Sequence, residues 1–196
     1  MQERRSNPDR TRDTRAALVA AARALFLEKG FAATGTPEIA ESAGVTRGAL
    51  YHHYKDKQDI LRAVIEAEAT GIAAEIEAGA TDAATPLDAL IAGAQSYFRA
   101  MRAPGRTRLM LLEGPAVLGS AEMRRIDMET GGQSLRQGLE AATGPGLSPT
   151  DLDARADLLS AMFDRAALAI EAGGDPATYE DTLATLLTAL IKRPSP

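Results

Sequence analysis

The sequence predicts an all-α protein, with an N-terminal three-helix domain followed by a larger helical bundle. Alanine and leucine dominate its 196 residues, and no segment alternates apolar and polar side chains over the length of a strand. Apolar residues recur instead at helical spacing, with Gly or Pro between the periodic segments. We expect the first domain to span residues 1–56 and the second to span residues 57–196.

The first helix is expected to begin between Asp9 and Asp13 and to end at Lys29, with Gly30 as the residue that stops it. The side chains that would form its buried stripe are Leu18, Ala21, Ala22, Leu25 and Phe26. Thr36, followed by Pro37, predicts the N-cap of a short second helix that ends at Gly44.

Thr46 predicts the N-cap of a third helix, which runs to about Tyr54. Asp56 then caps a fourth helix that follows without a linker, and Glu68 and Ala69 are expected in its exposed middle. The later helices are predicted to begin at Thr85-Pro86, at Thr107, near Ser120, at Ser148-Pro149 and at Asp175-Pro176. The helix from Thr107 should stop at Gly114-Pro115, because proline lacks the backbone donor that a helix interior needs.

The charge of the chain is unevenly distributed. Residues 1–64 carry 11 basic and 8 acidic side chains, whereas residues 65–196 carry 11 and 19. A basic first third on an acidic remainder indicates that the N-terminal part meets a polyanion. The chain has no cysteine, which excludes disulfides and suits the cytoplasm. Since no apolar run approaches about 20 residues, we expect no membrane span.

Two very short helices joined by a glycine-containing turn predict a helix-turn-helix. In this motif the N-terminal residues of the second helix meet base edges in the major groove of DNA. Arg47 can reach guanine with its forked donors, and the small residues after it allow a close approach. The predicted DNA-binding residues are Thr36, Thr46, Arg47, Gly48, Ala49, Tyr51, His52, His53, Lys55 and Lys57, and Tyr54 is a further phosphate donor. The same pattern also fits an ordinary three-helix subdomain with exposed polar residues.

The stretch from Thr14 to Leu61 resembles the DNA-binding domain of the TetR/AcrR family of transcriptional regulators. The residues that carry the resemblance are Leu18, Ala21, Ala22, Leu25, Phe26, Gly30, Phe31, Thr34, Ile39, Ala40, Ala43, Gly44, Val45, Thr46, Gly48, Leu50, Tyr51, His53, Tyr54, Lys57 and Leu61. The sequence departs from the family pattern at Gly35-Thr36-Pro37, where the family has Thr, then Thr or Ser, then a β-branched residue. This departure weakens the transfer of the family's base contact to Pro37, whereas Thr36 keeps the role of a phosphate donor.

The resemblance implies a ligand-responsive regulator, most often a repressor, that binds a palindromic operator in double-stranded DNA as a homodimer. The last two helices would then pair with those of a second copy. The residues expected at that interface are Leu152, Ala156, Leu159, Phe163, Ala166, Ile170, Tyr179, Leu183, Leu186, Leu187 and Leu190. The same stripes could also be the core of the chain itself.

The resemblance also implies that the middle helices enclose a small-molecule effector. Aromatic, methionine and acidic residues at helical spacing are the candidates to line its site, although such residues are more often core. They are Tyr97, Phe98, Met101, Met110, Glu113, Asp127, Met128 and Phe163. Glu113 and Asp127 could bind a cationic or hydroxylated group.

No catalytic constellation is visible, so we expect no enzyme activity and no cofactor. Adjacent helical residues point about 100° apart, which disfavours a metal site at His52-His53. Acidic pairs such as Asp151/Asp153 lie near helix starts, where they favour the helix dipole. The alternative function is a helical enzyme or adapter with an incidental helix-turn-helix.

Overall fold

The structure is a computed structural model that describes residues 7–192, and all its regular elements within that range are helical. The first five helices are α1 (Asn7–Ala33), α2 (Thr36–Ser42), α3 (Arg47–His53), α4 (Lys57–Ala80) and α5 (Pro86–Met101). The remaining elements are α6 (Arg106–Arg108), a π-helical turn (Leu109–Glu113), α7 (Gly114–Leu118), α8 (Ser120–Met128), α9 (Gly131–Thr143), α10 (Pro149–Glu171) and α11 (Pro176–Lys192). The predicted all-α fold is confirmed.

The chain forms two compact units. The first combines Met1–Ala67 with Arg108–Ser120, and the second combines Glu68–Thr107 with Ala121–Pro196. The predicted division after residue 56 therefore differs from the observed one. The first unit includes the beginning of α4 and a segment that returns to it from much later in the sequence, which no local pattern reports.

The turn after α1 depends on Gly30, which interrupts that helix with a φ of 84°. A side chain there would be strained, and its Cβ would lie 2.7 Å from the Glu113 Oε1 atom. Glu113 needs this space because its Oε2 atom accepts a hydrogen bond from the Phe31 backbone N–H at 2.9 Å. The predicted end of the first helix at Gly30 is thus confirmed, although a short helical piece follows it.

Two basic side chains satisfy backbone carbonyls around the same turn. Arg108 donates to the carbonyls of Phe26 and Leu27 at 2.9 and 2.7 Å. The Lys57 ammonium donates to the carbonyls of Phe31 and Thr34 at 2.8 and 2.9 Å. Carbonyls at a helix end lack intrahelical partners, so these side chains fix the end of α1 and the approach to α2.

Five predicted helix starts are confirmed by side-chain caps, among them Asp175, whose carboxylate accepts from the Thr178 N–H at 3.0 Å. The hydroxyls of Thr46, Thr85 and Ser148 each accept a hydrogen bond from the backbone N–H three residues later, at 3.1 Å. The Asp56 carboxylate accepts from the Asp59 N–H at 2.8 Å. The predicted cap of α2 is wrong by one residue, because Gly35 occupies the N-cap and Thr36 lies in the first turn.

The predicted stop at Gly114-Pro115 is wrong. The Gly114 N–H bonds to the carbonyl of Leu109, which gives the five-residue spacing of a π-helical turn. Pro115 consequently falls in the first turn of α7, where its missing N–H would have no intrahelical partner. The helical path therefore continues to Leu118.

The helix predicted to begin near Ser120 is α8, which ends at Met128, and α9 begins after Thr130. The cost of glycine in a helix interior favours the break at Gly131-Gly132. Gly132 also allows a close approach of the backbone, since a Cβ there would lie 3.0 Å from the Asp127 carbonyl oxygen.

The core of the second unit contains most of the residues predicted to face a partner subunit. Leu152, Ala156, Leu159, Phe163, Ala166, Leu183 and Leu187 are buried within the chain itself. Ile170, Tyr179 and Leu190 are partly buried against the same core. The interface prediction is therefore wrong for the buried set, because a stripe at helical spacing marks a buried face without showing what covers it.

A buried ion pair holds α4 within the second unit. The Arg106 guanidinium donates from Nε to Glu68 at 2.7 Å and from Nη1 to the Ala100 carbonyl at 2.7 Å. Glu68 is 5% exposed and Ala69 is 8% exposed. The expectation that both lie on an exposed part of this helix is wrong, since α4 buries this face.

Replacing Glu113 with Ala should lower the free energy of unfolding by about 1–3 kcal/mol, because the Phe31 N–H loses its acceptor. Urea unfolding followed by circular dichroism would measure the loss. Glu140→Ala is the matched control, since this glutamate is 63% exposed and pairs at the surface with Arg136. Equal stabilities of the two variants would contradict a structural role for Glu113.

Candidate nucleic-acid interface

Buried side chains in the first unit position the two short helices of the helix-turn-helix. Ile39, Ala40 and Leu50 are at most 2% exposed. Gly44 turns the chain with a φ of 66°, and the Val45 N–H then bonds to the Ala40 carbonyl at 3.0 Å. Helices of seven residues are marginal alone in water, so these contacts determine the orientation of α3.

The N-terminal end of α3 is open to solvent. Thr46, Arg47 and Gly48 are exposed, and Ala49 is half-buried. Because the Thr46 hydroxyl is bonded to the Ala49 N–H, its role in the structure is that of the helix cap. Arg47 follows it as a long forked cation with small neighbours, the arrangement that major-groove readout of guanine requires.

A hydroxyl pair connects α2 and α3 beside this end. The Thr36 hydroxyl lies 2.9 Å from the Tyr51 hydroxyl, and Tyr51 is 47% exposed. One hydroxyl donates to the other, so the accepting hydroxyl keeps its own hydrogen for an external acceptor. The pair therefore offers a donor to a phosphate oxygen near Arg47.

The end of α3 carries two histidines whose ring centroids are 5.2 Å apart. Partial burial lowers the pKa of His53 below its usual value, and the nearby charges of His52 and Arg15 lower it further. His53 thus holds a proton less readily than a free histidine, and its neutral ring offers one N–H donor. Lys55, which follows α3, is exposed.

Two of the predicted phosphate donors, Tyr54 and Lys57, make contacts within the first unit. Tyr54 is 3% exposed, and burial raises the pKa of its hydroxyl. The Lys57 ammonium is occupied by two backbone carbonyls and lies 4.2 Å from the centroid of the Phe31 ring. Both side chains hold the first unit together. Tyr54 is buried, whereas Lys57 is half-buried and keeps a third N–H donor, so its phosphate contact stays a prediction.

The second unit brings together some of the residues predicted to bind an effector. The rings of Tyr97, Phe98 and Phe163 are in mutual contact, with centroids 5.6 to 6.1 Å apart. The Tyr97 hydroxyl donates to Asp164 at 2.7 Å. Asp164 was not predicted, and a separation of 67 residues between donor and acceptor leaves no local signal for it.

Asp127 belongs to the same cluster. Its carboxylate accepts a hydrogen bond from Ser160 at 3.3 Å. Burial raises the pKa of Asp127, and the charge of Asp164 raises it further. Burial also raises the pKa of Asp164, although the hydrogen bond from Tyr97 opposes the change. Within the described residues, this acidic pair has neutral hydroxyls as its direct hydrogen-bond partners.

The other predicted effector residues are dispersed. Met101 is buried in the second unit, whereas Met128 is 43% exposed. Met110 and Glu113 belong to the first unit, where Glu113 is engaged by the Phe31 N–H. A surface cavity of about 350 Å³ lies at the turn between α9 and α10, and none of the predicted effector residues lines it.

Comparison with known proteins places this architecture in a family. Residues 18–64 match the family described as bacterial regulatory proteins, tetR family, and residues 87–193 match the tetracyclin repressor-like C-terminal domain. The chain belongs to the TetR family. Members of this family are transcriptional regulators with a DNA-binding helix-turn-helix, and they are not enzymes.

Individual relatives support the assignment. The chain is 30% identical to the Tn10 TetC protein of Escherichia coli over 129 residues, which cover 66% of this chain and 65% of the relative. It is 49% identical to the repressor BepR of Brucella suis over 53 residues, covering 27% and 25% of the two chains. A TetR-family regulator from Pectobacterium atrosepticum superposes with a TM-score of 0.72 and 27% identity, covering 97% and 100%. The matched regions thus span less than two thirds of these curated relatives.

Every helix within residues 7–192 is too short or too polar to cross a membrane. Within the same part of the chain, no group of three or more His, Cys, Asp or Glu side chains could hold a metal ion.

Replacing Lys55 with Ala should make the slope of log K for DNA binding against log salt concentration less steep. The expected change is about 0.9 for each phosphate that the lysine neutralises. Replacing Lys57 should instead lower the free energy of unfolding by about 2–3 kcal/mol, since two carbonyls lose a charged donor. Operator titrations over a range of salt and urea unfolding would measure both variants. If the Lys57 variant had a weaker salt dependence at full stability, the assignment of Lys57 to the turn would be wrong.

Proposed function

We propose that this protein is a repressor that binds a palindromic operator as a homodimer and is released by a small-molecule effector. The observation that carries the proposal is the exposed start of α3, which holds Arg47 four residues before Tyr51 of the Thr36–Tyr51 hydroxyl pair. In a TetR-family chain, this end of α3 is the surface suited to base edges. A two-fold symmetric dimer would read half-sites about one helical turn, roughly 34–36 Å, or a multiple apart.

Selection of bound sequences from random DNA tests whether the operator is palindromic. The Arg47→Ala variant tests whether Arg47 recognises a base. The substitution should cost about 1–3 kcal/mol of operator affinity and relax the preference at one position of each half-site. Arg136→Ala is a charge-matched control, because Arg136 forms a surface pair with Asp153 in the second unit. Unchanged affinity and preference in the Arg47 variant would refute the reading role.

The homodimer is supported by the exposed faces of α10 and α11. Leu158 on α10 is 64% exposed and Leu186 on α11 is 45% exposed, although each helix also carries two buried leucines. Exposed large apolar side chains on two adjacent helices favour association with a like surface. A second copy related by a two-fold axis presents the same pair, and four helices can then pack together.

The double variant Leu158→Glu, Leu186→Glu should be monomeric, because a charged side chain replaces each exposed leucine at the proposed interface. It should also lose operator binding while keeping its helical content. Light scattering and circular dichroism would measure these properties. Leu112→Glu is the control, since Leu112 is 53% exposed in the first unit. A double variant that remains dimeric would show that another surface mediates association.

The effector site is supported by the acidic pair in the second unit. Asp127 and Asp164 are partly buried next to the rings of Tyr97, Phe98 and Phe163. An aromatic wall beside two carboxylates suits an organic cation, which would gain ionic and cation–π contacts. Such an effector would release DNA only if it bound the non-DNA-binding conformation more tightly.

Asp127→Asn should raise the thermal stability of the protein at neutral pH. A carboxyl whose pKa is raised in the folded state contributes stability at low pH, and this contribution is lost as the pH rises through that pKa. Asparagine does not ionise, so the variant should not lose stability as the pH rises through that pKa. It should also bind an organic cation more weakly. Thermal shifts with tetraphenylphosphonium, and with neutral triphenylphosphine oxide for comparison, would measure both effects. Equal shifts by the two compounds would contradict a cation site.

A further inference from the structure

We propose that Arg15 of α1 is a phosphate-binding residue, held in position by Tyr54, and that it extends the DNA contact beyond the helix-turn-helix. The inference rests on the proposed operator binding. Arg15 lies outside the residues that the helix-turn-helix pattern singles out, and its place beside the end of α3 is visible only in the folded chain.

The geometry of Arg15 is fixed by one aromatic side chain. Its guanidinium carbon lies 4.9 Å from the centroid of the Tyr54 ring. Tyr54 itself is 3% exposed, so its ring is a rigid support. Arg15 is nevertheless exposed. A long cation is thus held on a buried ring with its charge at the surface.

The contacts of Arg15 leave donors available. A guanidinium carries five N–H donors in one plane. Contact with the ring uses the face of the group, so its N–H edge can bind a phosphate oxygen pair. The fixed orientation also reduces the side-chain entropy that a free arginine loses on binding.

The position of Arg15 relates it to the proposed DNA-binding face. Its charge acts on His53, which lies at the end of α3 next to His52. The exposed Lys55 follows two residues later. Arg15 therefore adds a fixed cation from α1 to the basic end of α3.

The acidic groups near Tyr54 have other partners. The Asp59 carboxylate accepts from the Arg62 guanidinium at 3.0 Å and from the Lys55 backbone N–H at 3.1 Å. Glu66 also acts on Tyr54 and has a partner of its own. Tyr54 is thus the side chain that positions Arg15 within the described residues.

The test compares operator binding by the full chain as wild type, Arg15→Ala and Arg15→Lys over a range of salt concentration. Arg15→Ala should make the slope of log K against log salt concentration less steep by about 0.9 for each phosphate that the arginine neutralises. It should also weaken binding roughly tenfold at moderate salt. Arg15→Lys should keep the salt dependence, because it keeps the charge, and should recover only part of the affinity, because it loses the planar fork. Arg136→Ala should leave both quantities unchanged.

Thermal unfolding of the same proteins separates phosphate binding from a purely structural role. If Arg15 only tied α1 to Tyr54, Arg15→Ala would lower the melting temperature and leave the salt dependence as in the wild type, which would overturn the inference. Wild-type protein that bound no selected DNA would overturn the proposed operator binding and this inference with it. Wild-type binding with an unchanged salt dependence in Arg15→Ala would overturn the role of Arg15 alone.

Discussion

The first unit depends on the hydrogen bond between the Phe31 N–H and the Glu113 carboxylate. Gly30 makes room for that carboxylate, and Arg108 satisfies the last carbonyls of α1 from the same segment. Because α2 and α3 are seven residues each, they take their orientation from the end of α1 and not from their own stability. The surface proposed to meet DNA is therefore held in part by residues that lie more than 80 positions later in the chain.

The helix starts could be predicted from the sequence because each cap is a local interaction. Thr46, Thr85 and Ser148 bond to an N–H three residues later, so the spacing alone identifies them. The continuation through Pro115 could not be predicted in this way. It depends on a π-helical turn that moves the proline to a position where its missing donor has no cost.

Contacts between distant segments account for the site residues that could not be predicted. The pattern around Lys57 suggests an exposed phosphate donor, but its ammonium is taken by carbonyls 23 and 26 residues earlier. The leucines of α10 and α11 predict a buried face, and the chain itself covers most of it. Leu158 and Leu186 stay exposed on these two helices.

The chain passes between its two units at three points: within α4 after Ala67, after Thr107, and after Ser120. Charged side chains hold segments next to the first two of these points. Arg106 fixes α4 through Glu68 in the second unit, and Arg108 fixes the end of α1 in the first. Breaking a buried ion pair by removing one partner costs several kcal/mol, so the second unit resists deformation beside Glu68. A ligand in the second unit can then alter DNA affinity only by as much as its own affinity differs between the two states. At the proposed cation site, the Asp127–Asp164 pair is one source of such a difference, because a cation contacts both carboxyl groups only in a conformation that keeps them together.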